Sequence, residues 1–219
     1  MQEKIKQLFK GIIKNQLPGE DAHLMMLPKG REISSVSRRQ AITPKQASVA
    51  VHLFFTNPEN PHLILIKRSI YDGAHSGQIA FPGGKIDEKD TDLIHTALRE
   101  SQEEIGLSAN EENLIGALSP VYIPISNFDV HPFLFLHFNS VALLADNREV
   151  SEILSVPLSE IIEDKNIHKR LITLKDTNET IDVTGFLLQE NWVWGASALI
   201  LNEVKEVLKI YFSEENKSY

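Results

Sequence analysis

The chain has 219 residues, of which 42% are hydrophobic and 24% are charged, and its formal net charge is −8. This length suits one α/β domain with extra helices at its ends, or at most two small domains, and the composition is that of a globular protein. The negative charge argues against sequence-independent nucleic-acid binding, which needs clustered Lys and Arg. The lack of cysteine excludes disulfides, thiolate zinc sites, iron–sulfur clusters and Cys nucleophiles.

The beginning of the chain alternates Lys with apolar side chains. This pattern predicts an amphipathic helix over residues 3–15 rather than a signal peptide. The polar residues 28–45 predict a linker or irregular segment. No stretch approaches the ~20 apolar residues that a membrane-spanning helix needs, so we expect a cytoplasmic protein.

The rest of the chain carries strand and helix patterns in alternation. Apolar and β-branched runs predict strands at residues 47–55, 62–66, 78–81, 114–121, 130–138 and within 171–188. Helical spacing predicts helices at residues 91–105 and 194–211, with short helical patches near 150–154 and 158–162. Asp90 or Thr91 is the expected cap of the helix 91–105, and Gly106 is its expected stop signal. This order favours the α/β (α+β) class, with a mixed sheet between helices and further helices at both termini. We expect one domain over residues 1–219, in which 1–45 form an extension and 46–219 form the core and the C-terminal helix.

Three acidic residues share one face of the predicted helix 91–105. At about 100° per residue, Glu100, Glu103 and Glu104 fall within an arc of roughly 100°, and we call them the helix acids. Arg99 lies beside them and can orient a carboxylate through charge-assisted hydrogen bonds. Acids at these spacings repel one another, and a hard divalent cation would relieve the repulsion. A solvated acidic surface is the alternative interpretation of these residues taken alone.

The residues around the helix acids resemble the Nudix box, the signature of the Nudix hydrolase family. This box is a glycine, five residues, Glu, seven residues and then Arg-Glu-apolar-x-Glu-Glu-x-Gly-apolar. Residues 99–107 (RESQEEIGL) match its second half, with Ser101 at an apolar position. Asp90 stands where Glu follows Gly84 in the box, and eight residues rather than seven separate it from Arg99. The difference lies in the loop before the helix and leaves the acidic face unchanged.

The resemblance implies a Nudix fold and metal-dependent hydrolysis of a diphosphate. The helix acids would be the metal ligands and Arg99 would orient them, with Mg²⁺ or Mn²⁺ as the cofactor. The implied reaction is in-line attack of a metal-activated water on one phosphorus. Relatives differ in the base that takes the proton of this water. Some use a Glu of the box, such as Glu103 or Glu104, and others a Glu of a later loop, for which Glu149 and Glu152 are the candidates.

The segment before the box resembles a second signature, that of the coenzyme A diphosphatase branch of Nudix hydrolases. This upstream signature is an apolar strand, Arg-Ser or Arg-Ala, three residues, usually Arg, three residues, Gly, three residues and Phe-Pro-Gly-Gly. The matching positions are Arg68, Ser69, Gly77 and residues 81–84. Gly73 stands where Arg is usual, so one phosphate contact of the pattern is missing.

The upstream signature implies several contacts to a coenzyme A substrate. Arg68 leaves a strand close to the box, where its fork could meet a phosphate, and an Arg paired with a surface acid is the alternative. The other candidates are His75, Gln78, Gly83, Gly84 and Phe128. A loop histidine without a catalytic part is the alternative for His75. Phe128 could stack on adenine, and a core aromatic is its alternative.

The sequence therefore favours hydrolysis of coenzyme A to phosphopantetheine and adenosine 3′,5′-bisphosphate. One alternative is a Nudix diphosphatase that acts on ADP-ribose, a dinucleotide or another nucleotide. The other is a catalytically idle Nudix domain that binds nucleotides as a sensor, against which the intact helix acids argue. We expect no nucleic-acid or membrane partner, and a homodimer remains open. The histidines show no zinc-binding spacing, and Trp192 and Trp194 are interpreted as packing residues.

Overall fold

The structure, a computed structural model, describes residues 1–70, 77–173 and 180–216. Its helices within these ranges are α1 (Gln2–Asn15), α2 (Glu20–Leu24), α3 (Ser34–Arg39), α4 (Leu93–Ile105), α5 (Leu158–Ile162) and α6 (Ala196–Asn216). Its strands are β1 (Lys45–Phe54), β2 (His62–Arg68), β3 (Ile79–Ala80), β4 (Gly83–Lys85), β5 (Leu114–Ala117), β6 (Val121–Ile123), β7 (Phe128–His137), β8 (Val150–Pro157), β9 (Ile167–Thr173), β10 (Thr180–Leu188) and β11 (Asn191–Val193). In the described part of the chain, no helix is both long enough and apolar enough to cross a bilayer.

Strand β1 lies at the centre of an eight-stranded mixed sheet. Five strands follow one another in the order β3–β2–β1–β7–β5, and β4, β6 and β8 pair with β1, β7 and β2 respectively. β1 and β7 are parallel, and the other pairs are antiparallel. A separate antiparallel sheet has the order β11–β10–β9. The parallel pair at the centre and the antiparallel strands around it make the sheet mixed.

Alternate side chains of β1 enter two different cores, because successive residues of a strand point to opposite faces of the sheet. Leu53 belongs to the large core formed with α1 and α6, in which Phe9 stacks on Tyr211 with ring centroids 4.5 Å apart. Ala50 packs instead with Ala97 of α4. The sheet therefore lies between α4 on one face and α1 with α6 on the other. This confirms the predicted α/β (α+β) class.

One predicted element has the wrong type. Residues 150–154 were predicted as a helical patch and instead begin β8. The helical prediction rests on Val150, Ile153 and Leu154, whose i, i+3, i+4 spacing is typical of one face of a helix. Antiparallel pairing with β2 decides the conformation, as strand propensity depends on the neighbouring strand. The helical prediction over 158–162 is confirmed as α5.

Two other predicted elements differ in their extent. The predicted strand 114–121 is divided into β5 and β6, because Pro120 between them has no N–H for a ladder hydrogen bond. The polar stretch 28–45 is not wholly irregular, since it contains α3. The hydroxyl of Ser34 at the start of α3 accepts a hydrogen bond of 3.1 Å from the backbone N–H of Tyr122. This contact fixes α3 against the sheet.

A buried carboxylate of α6 organises the start of the chain. Glu203 is fully buried, and its Oε1 accepts a hydrogen bond of 3.0 Å from the N–H of Gly19. Its Oε2 accepts one of 3.0 Å from the N–H of Ser119. Backbone donors thus satisfy both oxygens, as buried polar groups require. Helix α6 thereby holds the beginning of α2 and the connection between β5 and β6.

Candidate active site

Both ends of α4, the helix that carries the helix acids, are capped. Asp92 is the N-cap, and its Oδ1 accepts a hydrogen bond of 2.8 Å from the N–H of His95. The prediction of Asp90 or Thr91 as the cap was therefore wrong by one or two residues. Gly106 adopts the left-handed conformation, with φ of 66°, that commonly ends a helix. The predicted stop at this glycine is confirmed.

Asp90 holds Arg99 rather than the end of the helix. Arg99 Nε donates to Asp90 Oδ1 and Arg99 Nη2 donates to Asp90 Oδ2, both at 2.9 Å. Thr96 Oγ1 donates to Asp90 Oδ2 at 2.9 Å, and His95 Nδ1 lies 2.9 Å from Asp90 Oδ1. These bonds, that to Arg99 most of all, hold the pKa of Asp90 well below its usual range. Asp90 is therefore an ionised anchor for the guanidinium.

The remaining edge of Arg99 holds two of the helix acids. Its Nη1 donates to Glu100 Oε1 and to Glu103 Oε2, both at 2.9 Å. Glu100 is largely buried, and burial raises its pKa against the lowering effect of Arg99. The Glu103 side chain is 59% exposed, so its carboxylate faces solvent. One guanidinium thus connects Asp90 to both acids.

Glu104 is the buried member of the helix acids, with only 1% of its surface exposed. Its Oε2 accepts a hydrogen bond of 2.8 Å from the N–H of Gly83. Its Oε1 has no hydrogen-bond partner among the described residues, since Arg68 Nη1 lies 3.7 Å away, which is too far for a hydrogen bond. Burial raises the pKa of Glu104 to about 8, although Gly83 and Arg68 act to lower it. A buried carboxylate oxygen without a hydrogen-bond partner costs free energy, and a bound cation would offset that cost.

The absence of side chains on Gly83 and Gly84 lets β4 pass between β1 and the helix acids. A Cβ on Gly84 would overlap the carboxylate of Glu100. A Cβ on Gly83 would overlap the backbone oxygen of Ser48 in β1, with which β4 pairs. Only glycine fits both positions without a shift of the backbone or of the acid. The two predicted glycines therefore line the site directly.

Arg68 lies at the end of β2, where the ladder with β8 is irregular. The register shifts between Lys67 and Arg68, and such bulges redirect side chains near the ends of strands. The N–H of Arg68 donates to the backbone oxygen of Gln78 at 3.0 Å, so that the two candidate substrate contacts are neighbours. Glu152, one candidate base, lies 3.9 Å from Lys67 Nζ in an exposed pair.

Glu149, the other candidate base, borders the buried acid. The N–H of Ser69 donates to the backbone oxygen of Glu149 at 2.9 Å, which joins it to the end of β2. The N–H of Asp146 donates to the backbone oxygen of Glu104 at 3.0 Å, which joins the same segment to α4. The charge of Glu149 raises the pKa of both Glu100 and Glu104. The exposed side chain of Glu149 therefore acts on the site electrostatically.

One predicted substrate contact, Phe128, stands apart from this cluster. Phe128 begins β7 and packs against the large core, and Lys45 Nζ lies 5.5 Å from its ring centre. His75 lies outside the described residues. The structure brings together the following predicted residues: Arg68, Gln78, Gly83, Gly84, Arg99, Glu100, Glu103, Glu104 and Glu149.

The donor set fits a hard divalent cation. Among the described residues, no three His, Asp or Glu side chains are grouped so that they could hold a metal ion as oriented. Arg99 binds one oxygen of Glu100 and one of Glu103. The second oxygens of these acids and the unpartnered Oε1 of Glu104 are ligands of the kind that Mg²⁺ and Mn²⁺ prefer. Burial and the charges of neighbouring acids raise the pKa of Glu100 and Glu104, and a bound cation would favour the ionised form of both.

Comparison with known proteins agrees with this geometry. Residues 46–175, more than half of the chain, match the family model described as the NUDIX domain. The chain is 28% identical over 186 residues to proteins called uncharacterized Nudix hydrolase NudL from Yersinia pestis and Yersinia pseudotuberculosis, a match that covers 85% of this chain and 91% of theirs. Its fold is similar to that of a MutT/nudix family protein from Enterococcus faecalis, with a TM-score of 0.51 and 18% identity over 91% of this chain and 73% of that one.

Proposed function

The chain belongs to the Nudix family, and from this we propose that it hydrolyses the diphosphate linkage of coenzyme A to phosphopantetheine and adenosine 3′,5′-bisphosphate. Membership supports hydrolysis of a nucleoside diphosphate derivative, and the family generally uses divalent metal ions. The upstream signature supports coenzyme A as the substrate. One observation carries this assignment: Arg68 of the upstream signature lies 3.7 Å from the buried carboxylate of Glu104 in the Nudix box.

The helix acids would hold the metal, for which we propose Mg²⁺ or Mn²⁺. When bound, the ion lowers the pKa of a water molecule and neutralises charge on the diphosphate oxygens. Arg99 binds one oxygen of Glu100 and one of Glu103, which leaves the second oxygen of each acid for the metal.

The environment of Arg68 supports a role for this residue in binding a phosphate group of the substrate. Its side chain is 26% exposed, and its buried Nε has no hydrogen-bond partner within the described part of the chain. A partly exposed guanidinium beside the acids can donate to a phosphate oxygen, which it binds through its fork. Gly83 and Gly84 carry no side chains that would keep the diphosphate away from the acids.

The position of the Glu149 carboxylate supports its role as the general base. A base must lie near the attacking water and must be ionised when the water arrives. Its exposed carboxylate lies close enough to raise the pKa of Glu100 and Glu104, whereas Glu152 is engaged with Lys67. We therefore propose that Glu149 takes the proton while the helix acids hold the metal.

The test is the kcat/KM of separate substrates, namely coenzyme A, ADP-ribose and diadenosine tetraphosphate, each with Mg²⁺ and with Mn²⁺. We expect the largest value for coenzyme A. Arg68→Gln should lower that value about 10- to 100-fold, since hydrogen bonds to charged groups contribute about 1.5–3 kcal/mol. The matched control is Arg31→Gln, at an exposed position outside the cluster, which should behave as the wild type.

Other outcomes would reject parts of the proposal. A larger kcat/KM for ADP-ribose or for the dinucleotide would reject coenzyme A and retain diphosphate hydrolysis. No turnover of any substrate with either metal would reject hydrolysis and favour a nucleotide-binding domain.

A further inference from the structure

A buried chain of hydrogen bonds connects the centre of the sheet to α4. Nε2 of His52 in β1 lies 2.8 Å from Oγ of Ser101 in α4. Nδ1 of His52 lies 2.9 Å from Nε2 of His137 in β7. All three side chains are buried, and we call them the buried tether. The mechanism described above does not use any of them.

The bonding pattern of the tether admits one arrangement of protons. Ser101 Oγ lies 2.7 Å from the backbone oxygen of Ala97, which can only accept, so the hydroxyl donates to it. Nε2 of His52 must then donate to Ser101 Oγ, and its Nδ1 must accept from Nε2 of His137. Burial lowers the pKa of His52, and lowers that of His137 to about 4, so both rings are neutral at pH 7 as this pattern requires. The buried polar atoms of the tether therefore satisfy one another.

Aromatic neighbours hold the two imidazole rings in place. Phe54 stacks on His137, with ring centroids 4.5 Å apart and planes 17° from parallel. Phe135 lies beside His52, with a centroid distance of 5.2 Å. A side chain that is packed in this way keeps its donor and acceptor directions fixed. The tether is therefore a rigid connection between β1, β7 and α4.

Ser101 occupies the turn of α4 that carries the site. Glu100 precedes it, and Glu104 lies three residues after it on the same turn. Both acids lie close against β4, because the Glu100 carboxylate occupies the space that a Cβ of Gly84 would fill and Gly83 donates a 2.8 Å hydrogen bond to Glu104. A small rotation or translation of α4 would disturb both contacts.

We propose that the buried tether is a positioning element, which fixes the rotation and height of α4 so that Glu100 and Glu104 meet β4 correctly. The Nudix box has an apolar residue at the position of Ser101, and an apolar contact has no preferred direction. A hydrogen bond has a preferred direction, so it restrains the helix more narrowly. The inference rests on the proposed function, because the acids that it positions are those that would hold the metal.

The test compares two ways of removing the tether. Ser101→Ala alone leaves the buried Nε2–H of His52 without an acceptor. The triple variant His52→Leu, Ser101→Ala, His137→Phe removes every polar side-chain group of the tether, so that none is left unsatisfied. If the tether served only stability, the triple variant would regain both the melting temperature and the activity that Ser101→Ala loses. If it positions the acids, the triple variant regains stability but not activity.

The readouts are the melting temperature, kcat and KM with whichever diphosphate the wild type cleaves fastest, and the Mn²⁺ dissociation constant without substrate. We expect kcat to fall about 10- to 100-fold in both variants with KM little changed, since small misplacements of reacting groups have effects of this size. We expect Mn²⁺ affinity to fall about tenfold, as for other residues that orient metal ligands. A triple variant with wild-type kcat and wild-type Mn²⁺ affinity would overturn the inference.

A destabilised control separates positioning from stability. Val207→Ala truncates a buried residue of α6 and should lower the melting temperature without changing kcat or Mn²⁺ affinity. If the triple variant does not fold, the comparison of Ser101→Ala with Val207→Ala tests the inference instead. We expect only Ser101→Ala to lose kcat below its melting temperature, and normal kcat in both would overturn the inference. A wild type that cleaves no diphosphate would reject the proposed function, whereas the Mn²⁺ titration would still test the tether.

Discussion

Asp90 and Arg99 form a two-point ion pair, in which Nε and Nη2 of the guanidinium each donate a 2.9 Å hydrogen bond to a different carboxylate oxygen. The third nitrogen of the same guanidinium donates to Glu100 and Glu103. Asp90 therefore orients two of the helix acids through Arg99. The extra residue before α4 does not prevent this role, because it is accommodated in the loop that follows Asp90.

The ion pair predicts the effect of Asp90→Asn. An amide presents one acceptor oxygen instead of two, so one of the two bonds to Arg99 is lost. We expect kcat to fall about 10- to 100-fold, as for other residues that orient ligands, with little change in circular dichroism. Glu88→Gln, at an exposed acid of the same loop, is the control and should retain wild-type kcat. Equal activity of both variants would show that the pair does not orient the acids.

Glu103→Gln and Glu104→Gln should each abolish most metal-dependent turnover and leave the fold intact. The amide of Gln is a poorer ligand than a carboxylate, and in Glu104→Gln the amide oxygen could still accept the hydrogen bond from Gly83. We expect kcat to fall at least about 100-fold, because charge stabilisation in the transition state is lost. Glu111→Gln, at an exposed acid outside the site, should keep full activity. Near-normal kcat in either site variant would refute the role of that acid.

Gly84→Ala should inactivate the protein through a steric effect. The new Cβ would overlap the carboxylate of Glu100, which must move and lose its bond to Arg99. We expect Mn²⁺ affinity to fall about tenfold or more. Gly11→Ala is the matched control, since a Cβ there meets no atom within 4 Å. Its position inside α1 predicts a gain in stability of about 0.5–1 kcal/mol. Unchanged Mn²⁺ affinity in Gly84→Ala would contradict the placement of Glu100.

Metal binding should depend on pH through Glu104. Its pKa is raised to about 8 by burial, so most of this carboxyl is protonated at pH 7 in the absence of metal. A cation displaces the proton, because only the carboxylate is a good ligand. Mn²⁺ affinity without substrate should therefore rise with pH and level off above about pH 8. Isothermal titration in buffers of different ionisation enthalpy should show proton release. Affinity that does not change with pH below this value would contradict the assignment.

The buried histidines should make the free energy of unfolding depend on pH. The pKa of His137 falls from 6.5 to about 4 on folding, so between these values the unfolded chain binds a proton that the folded chain does not. The stabilisation is complete above pH 6.5 and decreases as pH falls towards 4, by at most about 1.4 kcal/mol per pH unit. Urea unfolding should show a steeper loss on acidification for the wild type than for the triple tether variant. The same pH dependence of unfolding in the wild type and the triple variant would contradict this role of the buried histidines.

The local features of the site were predictable from the sequence, because they depend on neighbours along the chain. Helical periodicity placed Glu100, Glu103 and Glu104 on one face, and Gly106 marked the helix end. The exact cap was not predictable, since Asp90, Thr91 and Asp92 are consecutive capping residues. In the structure, Asp92 caps the helix, whereas Asp90 accepts hydrogen bonds from Arg99. The Nudix fold predicted from the same residues is confirmed.

Features that depend on distant parts of the chain were missed. Val150–Pro157 is a strand because it pairs with β2, whose partner residues lie 82 to 95 positions earlier, and no local pattern reports this pairing. The buried Glu203 has its partners at Gly19 and Ser119, and its spacing in α6 resembles that of any surface acid. His52 lies in an apolar run and carried no signal of its own. The unusual Ser101 in the box was the available indication that a polar partner lies beneath α4.

The central claim is tested most directly by competition within one mixture. Equal concentrations of coenzyme A, ADP-ribose and diadenosine tetraphosphate would be incubated with the wild-type chain and Mn²⁺, and the products would be followed by mass spectrometry. We predict that phosphopantetheine and adenosine 3′,5′-bisphosphate appear first, and that neither forms with Glu104→Gln or when the metal is chelated. Earlier loss of ADP-ribose or of the dinucleotide, or phosphopantetheine formed equally well by Glu104→Gln, would contradict the account.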